Sequence, residues 1–161
     1  MPIKPLEAAP IFIDQTLELP IFWSGNTAKK IVEIGGLLKK KPAYAKMKVK
    51  IDAVWPYPSP TVHLTVKVNG IEKCILPMQV VDWQEYDVID AVRVGDNIFE
   101  AVLWTTIPAP LTRGIKFTVY LETDVSTEIR LPTQPPQLWW YALIGLIVLT
   151  FMAAAYRGVK A

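Results

Sequence analysis

The sequence predicts a mainly β chain: an antiparallel, jelly-roll-like β-sandwich followed by a single C-terminal transmembrane helix. Three observations predict it. Apolar and polar residues alternate with a period of two in stretch after stretch between residues 46 and 123, the pattern of strands with one face buried. Proline- and glycine-rich connections separate those stretches. Residues 138–156 carry no charge. The implied organisation is a sandwich domain over residues 1–131, a proline-rich linker over 132–137, a spanning helix over 138–156 and a short basic tail over 157–161.

Near the N-terminus, PIFIDQTLELPIF holds one or two short strands bounded by Pro10 and Pro20, residues that suit edges because they cannot donate to a ladder. TAKKIVEIGGLLKKK (27–41) has mixed periodicity and fits a strand or a helical turn. In KMKVKIDA, Met47, Val49, Ile51 and Ala53 share one face, and Lys46, Lys48, Lys50 and Asp52 the other. In TVHLTVKV, Val62, Leu64, Val66 and Val68 face inward, with Thr61, His63, Thr65 and Lys67 outward. Asn69-Gly70 follows, a strong hairpin signal because a type I′ turn needs positive φ at both central residues, and IEKCILPM returns from it. NIFEAVLWTT is apolar on both faces and reads as a central strand or one lying under a loop. KFTVYLET alternates again, with Phe117, Val119 and Leu121 inward, and STEIRL is a candidate last strand.

The uncharged run at Leu138–Tyr156 is 19 residues long, or about 28 Å as a helix, close to the ~30 Å hydrocarbon core. Leu138, Trp139, Trp140 and Tyr141 at one end and Tyr156 at the other form an aromatic belt, and Arg157 and Lys160 follow. The expected location is therefore a membrane, single-pass through this helix. Residues 1–16 lack the uninterrupted apolar run of a secretory leader, which favours a tail-anchored protein with its domain on the cytoplasmic side. The positive tail argues for the opposite orientation.

The composition narrows the function. Mean hydropathy is +0.27. The net charge of +2 gives no nucleic-acid signature. A single cysteine, Cys74, forms no internal disulfide, and no Asn-x-Ser/Thr sequon occurs, which argues against an extracellular setting. High lysine, scarce thiols and many prolines suit a thermophile.

One stretch, VKVNGIEK … YDVIDAVRVGDNIFEAVLW, resembles the middle of galactose-binding-like jelly-roll sandwiches. The pieces that carry the resemblance are Val68-Asn69-Gly70, Tyr86-Asp87-Val88 and Gly95-Asp96-Asn97. Residues 62–104 are covered, and Ile89 stands where that family often has Thr. The resemblance implies a non-catalytic binding module. No residue of this stretch matches a sugar-binding position.

Chemistry-bearing patterns are scarce. His63 is the sole histidine and alternates with threonines as a surface residue does. No zinc or copper ligand spacing and no phosphate-cradling loop is present. Asp82, Glu85, Asp87, Asp90 and Asp96 could gather around calcium, but they read first as a solvated acidic rim. No catalytic residue, cofactor or metal site is assigned. Charge is segregated: residues 29–50 hold eight lysines against Glu33, and residues 51–110 hold eight acids against three bases. Lys39, Lys40, Lys41, Lys46, Lys48 and Lys50 are thus a candidate contact surface for anionic headgroups or an acidic partner, a second copy included. Trp55 and Tyr57, held in the loop WPYPSP, are candidate contact anchors.

Together these features predict a non-enzymatic, membrane-anchored structural or interaction protein that links a protein layer to a lipid bilayer. A minor capsid or anchoring protein of a virion with an internal membrane is the setting that fits. The expected partners are the bilayer and other subunits of a larger assembly, with no nucleic acid. The alternatives are a cell-surface carbohydrate-binding module and an accessory subunit of a membrane enzyme complex.

Overall fold

The alternating stretches become strands in the computed structural model, which describes residues 10–131 and the backbone of 138–158, with side chains for 143–153 of the latter. Two compact units are present, Met1–Arg130 and Leu131–Ala161. The first contains β1 (Ile11–Leu19), β2 (Gly25–Ile34), β3 (Ala45–Trp55), β4 (Ser59–Val68), β5 (Ile71–Met78), β6 (Val81–Asp87), β7 (Gly95–Thr105), β8 (Arg113–Thr123) and β9 (Thr127–Arg130).

One sheet has the order β1-β8-β3-β6 and the other β5-β4-β7-β2-β9. All pairings are antiparallel, and they nest: β4 with β5, β3 with β6, β2 with β7 and β1 with β8. The eight strands are one long hairpin wound into two sheets, which is the jelly-roll arrangement, with β9 added at an edge. The inward residues form one core. Met47, Val49, Ile51, Val62, Leu64, Leu103, Ile115, Phe117 and Leu121 are among its fully buried members.

Several elements differ from the sequence reading. The segment left open between strand and helical turn is strand β2, closed by Gly35 and Gly36 at φ 103° and 58°. β6 is a strand the alternation does not reveal: four consecutive residues, Asp82–Glu85, are exposed. In β3 the register to β8 shifts between Ile51 and Ala53. This bulge ends the inward phase, so Ala53 does not join Met47, Val49 and Ile51 in the core. Thr65, expected outside, is buried because Trp104 lies across it and donates its indole N–H to the hydroxyl at 2.8 Å.

The larger correction concerns the second unit. Residues Leu138–Gly158 are helical, α1, but among the described residues no helix is long and apolar enough to cross a membrane. The transmembrane assignment over 138–156 is therefore withdrawn. The single-pass membrane location and the bilayer as partner go with it. The side chains of the expected anchor residues Leu138, Trp139, Trp140, Tyr141, Tyr156 and Arg157 lie outside the described residues, as do residues 132–137 of the linker.

At the tip of the nest, Asn69 and Gly70 turn the chain at φ 51° and 83°, as the type I′ geometry demands. Asn69 is locked there. Its Nδ2 donates to the Ala91 carbonyl at 2.8 Å and to Asn97 Oδ1 at 2.7 Å, and its Oδ1 accepts from the Ile98 amide at 2.9 Å. Asn97, fully buried, donates to the carbonyls of Arg93 and Gly95 and accepts from the Arg93 amide. Asn69-Gly70 and Gly95-Asp96-Asn97 thus meet in one buried network that ties hairpin, connection and β7 together. Asn97→Ala leaves several of these buried groups unpaired, so the expected loss is about 3 kcal/mol, read as a lower urea midpoint with unchanged slope.

Candidate functional site

Four connections gather at one end of the sandwich: residues 20–24, 56–58, 79–80 and 106–112. The register places them together, since Leu19 faces Arg113, Gly25 faces Trp104, Trp55 faces Gly114 and Ser59 faces Met78. None of these connections contains a charged residue. The first and last are tied by the Phe22 amide, which donates to the Ala109 carbonyl at 3.0 Å, while Trp23 closes its own turn on Pro20 at 3.0 Å. Phe22 sits at φ 63°, a left-handed conformation that is an outlier for a bulky side chain and marks stored strain.

Ile21, Phe22, Trp23, Tyr57, Ile107 and Leu111 are each 46–69% exposed. With about 150–250 Å² for a whole aromatic side chain, the six display on the order of 700 Å². A typical monomer's largest apolar patch is about 300–600 Å². Arg113 is the charged residue bordering this end. Its guanidinium carbon lies 4.9 Å from the Tyr57 ring centroid.

Of the two aromatic anchors expected from the sequence, Tyr57 belongs to this patch. Trp55 does not: its indole packs on Gly114, where an added Cβ would fall 2.1 Å from the ring.

The candidate lysines are arranged differently from the expected free basic surface. Lys46, Lys48 and Lys50 lie on the outer face of β3; Lys39, Lys40 and Lys41 follow β2 at the opposite end from the loops described above. Lys46 and Lys48 both reach Glu85, at 2.9 and 3.3 Å, and Lys50 reaches Asp52 at 2.9 Å. Lys39 reaches Glu33 at 3.5 Å and Lys40 reaches Asp124 at 3.9 Å. Lys46 and Lys48 are thus paired across strands with an acid of the acidic stretch, while Lys39, Lys40 and Lys50 are paired with acids nearby in the fold. Pairs this exposed are screened by solvent and add little to stability. The acidic rim is spread in the same way: Glu85 is held by the lysines of β3, Asp90 by Lys73 and Asp96 by Arg130. No group of three or more His, Cys, Asp or Glu side chains that could hold a metal occurs among the described residues.

Outside on the first sheet, Phe12, Tyr120 and Trp83 form a row across strands. Phe12 and Tyr120 meet edge to face at 4.8 Å, and Trp83 and Tyr120 at 6.3 Å. With Lys48 they line an open cleft of about 260 Å³. His63 stacks on Trp104 at 4.9 Å, and Cys74 points into the core, where burial pushes its thiol up to about 11. A thiol so protonated is not a nucleophile.

Searched against protein-family models and against curated proteins, the sequence matches none.

The 20–24 and 106–112 loops and Arg113 were not singled out from the sequence. The signals were present: PIFWS and TIPAPLT are charge-free and apolar, and Arg113 falls on the inward phase of the alternation that Ile115, Phe117, Val119 and Leu121 continue.

The ion pairs carry a pH signature. The Ala43 amide, donating at 2.8 Å, holds the Asp124 carboxyl below its ordinary 3.8, with the Tyr44 amide and Lys40 adding to the effect. Hydrogen bonds from Lys46 and Lys48 lower Glu85 in the same way. At Asp52 burial pushes upward, and the bonds from Lys50 and Thr118 outweigh it. A carboxyl depressed on folding stabilises above its unfolded value, and the contribution is lost as pH falls through the folded value. Tm is therefore expected to fall below about pH 4. Asp124→Asn keeps an acceptor for Ala43 but removes one titration. Melts across the acid range should show a shallower decline, because at pH 7 the variant already lacks the stability that the ionised carboxyl supplies.

Proposed function

We propose that the chain is a non-catalytic structural and interaction protein whose jelly-roll domain is built into a larger protein assembly through its charge-free loop end. The observation that carries this is the apolar patch of Ile21, Phe22, Trp23, Tyr57, Ile107 and Leu111. The occupant is an apolar surface of another protein subunit. The patch approaches the ~800 Å² per partner of a standard interface. It includes Phe22 and Trp23, whose loop is tied by a backbone bond to the neighbouring one, and Pro20, Pro56, Pro58, Pro108 and Pro110 stiffen the loops of this end. Rigid aromatics lose little entropy on docking and dominate binding energy. Jelly rolls build capsid shells and lectins alike, so the fold supports a shell by analogy alone.

The test is native-mass analysis of the full chain purified from its source. It should travel within an assembly whose other members distinguish a shell from an enzyme complex. Trp23→Ser and Ile107→Ser alter exposed positions and should leave the melt within about 0.5 kcal/mol of wild type while weakening association at least ~10-fold. A chain that migrates alone, with both variants indistinguishable from it, overturns the reading.

A second reading, a carbohydrate-binding module, is favoured by the cleft of Phe12, Trp83 and Tyr120. Exposed aromatic rings suit the apolar face of a sugar ring, and the paired charges of Lys48 with Glu85 and Lys50 with Asp52 offer both donors and acceptors to hydroxyls while favouring a neutral ligand. Calorimetric titration with neutral oligosaccharides should give heat that Trp83→Ala abolishes. Absence of heat across the panel removes this reading.

A further inference from the structure

The first residue of β8 breaks the pattern of the strand it opens. Arg113 occupies an inward position and is 9% exposed. Its Nε and Nη1 are buried and have no hydrogen-bond partner. Burying part of a cation without a counter-charge is costly unless it is paired and hydrogen-bonded. The contact it has is the ring of Tyr57, 4.9 Å away, and a π-face accepts no conventional pair of N–H bonds. Tyr57 itself is half exposed, on a connection of three residues. The cation therefore lies under a half-exposed ring, beside a patch that otherwise carries no charge.

We propose that Arg113 receives a carboxylate carried by the subunit that covers the loop end, with the Tyr57 ring swinging off the guanidinium as the anion enters. This rests on the docking reading above. A carboxylate fits better than a phosphate because Arg113 stands alone: residues 20–24, 56–58, 79–80 and 106–112 hold no lysine or arginine, so one guanidinium balances one negative charge. Planar acceptor oxygens match its N–H geometry. The apolar surroundings exclude water from the pair once the partner is seated. The site also supplies specificity, since a partner lacking the acid leaves the guanidinium unpaired in a dry interface.

The probe is sodium acetate, set against sodium chloride of equal ionic strength and against sodium phosphate, with the full chain. Acetate should raise Tm saturably and shift the Arg113 Nε–H resonance, and phosphate should do no more than acetate. Arg113→Met removes an unpaired buried charge at similar volume. It should melt at or above the wild-type temperature in chloride, ignore acetate, and associate with the partner at least ~10-fold more weakly. If that variant does not fold, the wild-type resonance titration decides alone. No acetate response and no resonance shift overturn the proposal. A stronger response to phosphate overturns the choice of carboxylate. An acetate response in a chain that purifies alone removes the docking reading and leaves the anion site; a partner that binds wild type and Arg113→Met equally does the reverse.

Discussion

The turn at Asn69-Gly70 is the constraint on which the rest of the sandwich depends. The four principal strand pairs nest around it, β4 with β5 innermost and β1 with β8 outermost. A slip of one residue at the tip would exchange inward and outward faces in β4 or β5. The Asn69–Asn97 contact fixes that register from outside the hairpin, because Asn97 belongs to β7, the neighbour of β4 on its other side. Backbone geometry available to Asn and Gly is thus coupled to a buried polar network that accepts one alignment of three strands. The outer pairs, with their long closure loops, inherit that alignment.

Strand edges explain where the molecule can and cannot meet other proteins. β1 is preceded by Pro10 and followed by Pro20, β5 carries Pro77, β6 carries Asp82, Glu85 and Asp87, and β9 is four residues long. Each is a known way of blunting an unpaired ladder. The charged faces are satisfied internally, with the β3 lysines engaged by acids beside them on the same sheet. The loop end has neither protection. Its apolar side chains have no charges among them, and the strain at Phe22 is held by a bond to the adjacent loop rather than relieved.

Legibility in the sequence followed burial. β3, β4 and β8 each bury a face whose alternation survives in composition, so the sandwich could be read; β7 buries a face too, but Ile98, Val102 and Trp104 make its other face apolar. β6 buries almost nothing and has no stripe to read. β2 was ambiguous because Val32, Glu33 and Ile34 are buried consecutively, with Glu33 made tolerable by Lys39, and consecutive burial has no period. The uncharged C-terminal run was over-read: composition pointed to an anchor, whereas among the described residues no helix is long and apolar enough to cross a membrane. Charge segregation was legible, but its meaning was not, since proximity in sequence does not show that Lys46 and Lys48 share Glu85 from another strand. Trp55 looked as available as Tyr57, because the glycine that receives its ring is far along the chain.

Arg113 shows how a departure from pattern is weighed once the fold is known. A basic residue at an inward position is harmless when each of its nitrogens reaches water or an acid, and Nε and Nη1 of Arg113 reach neither. Here the alternation of β8 directs it between the sheets, the connections around it contain no acid, and the ring of Tyr57 lies over it. Packing alone would favour an aliphatic side chain at this position, with the same contact to the ring and no desolvated charge. Local rules broken without compensation inside the domain mark places where the compensation comes from elsewhere. The loop end is that place: a surface too apolar to suit water beside a cation too buried to suit the core, and the same covering partner would satisfy both.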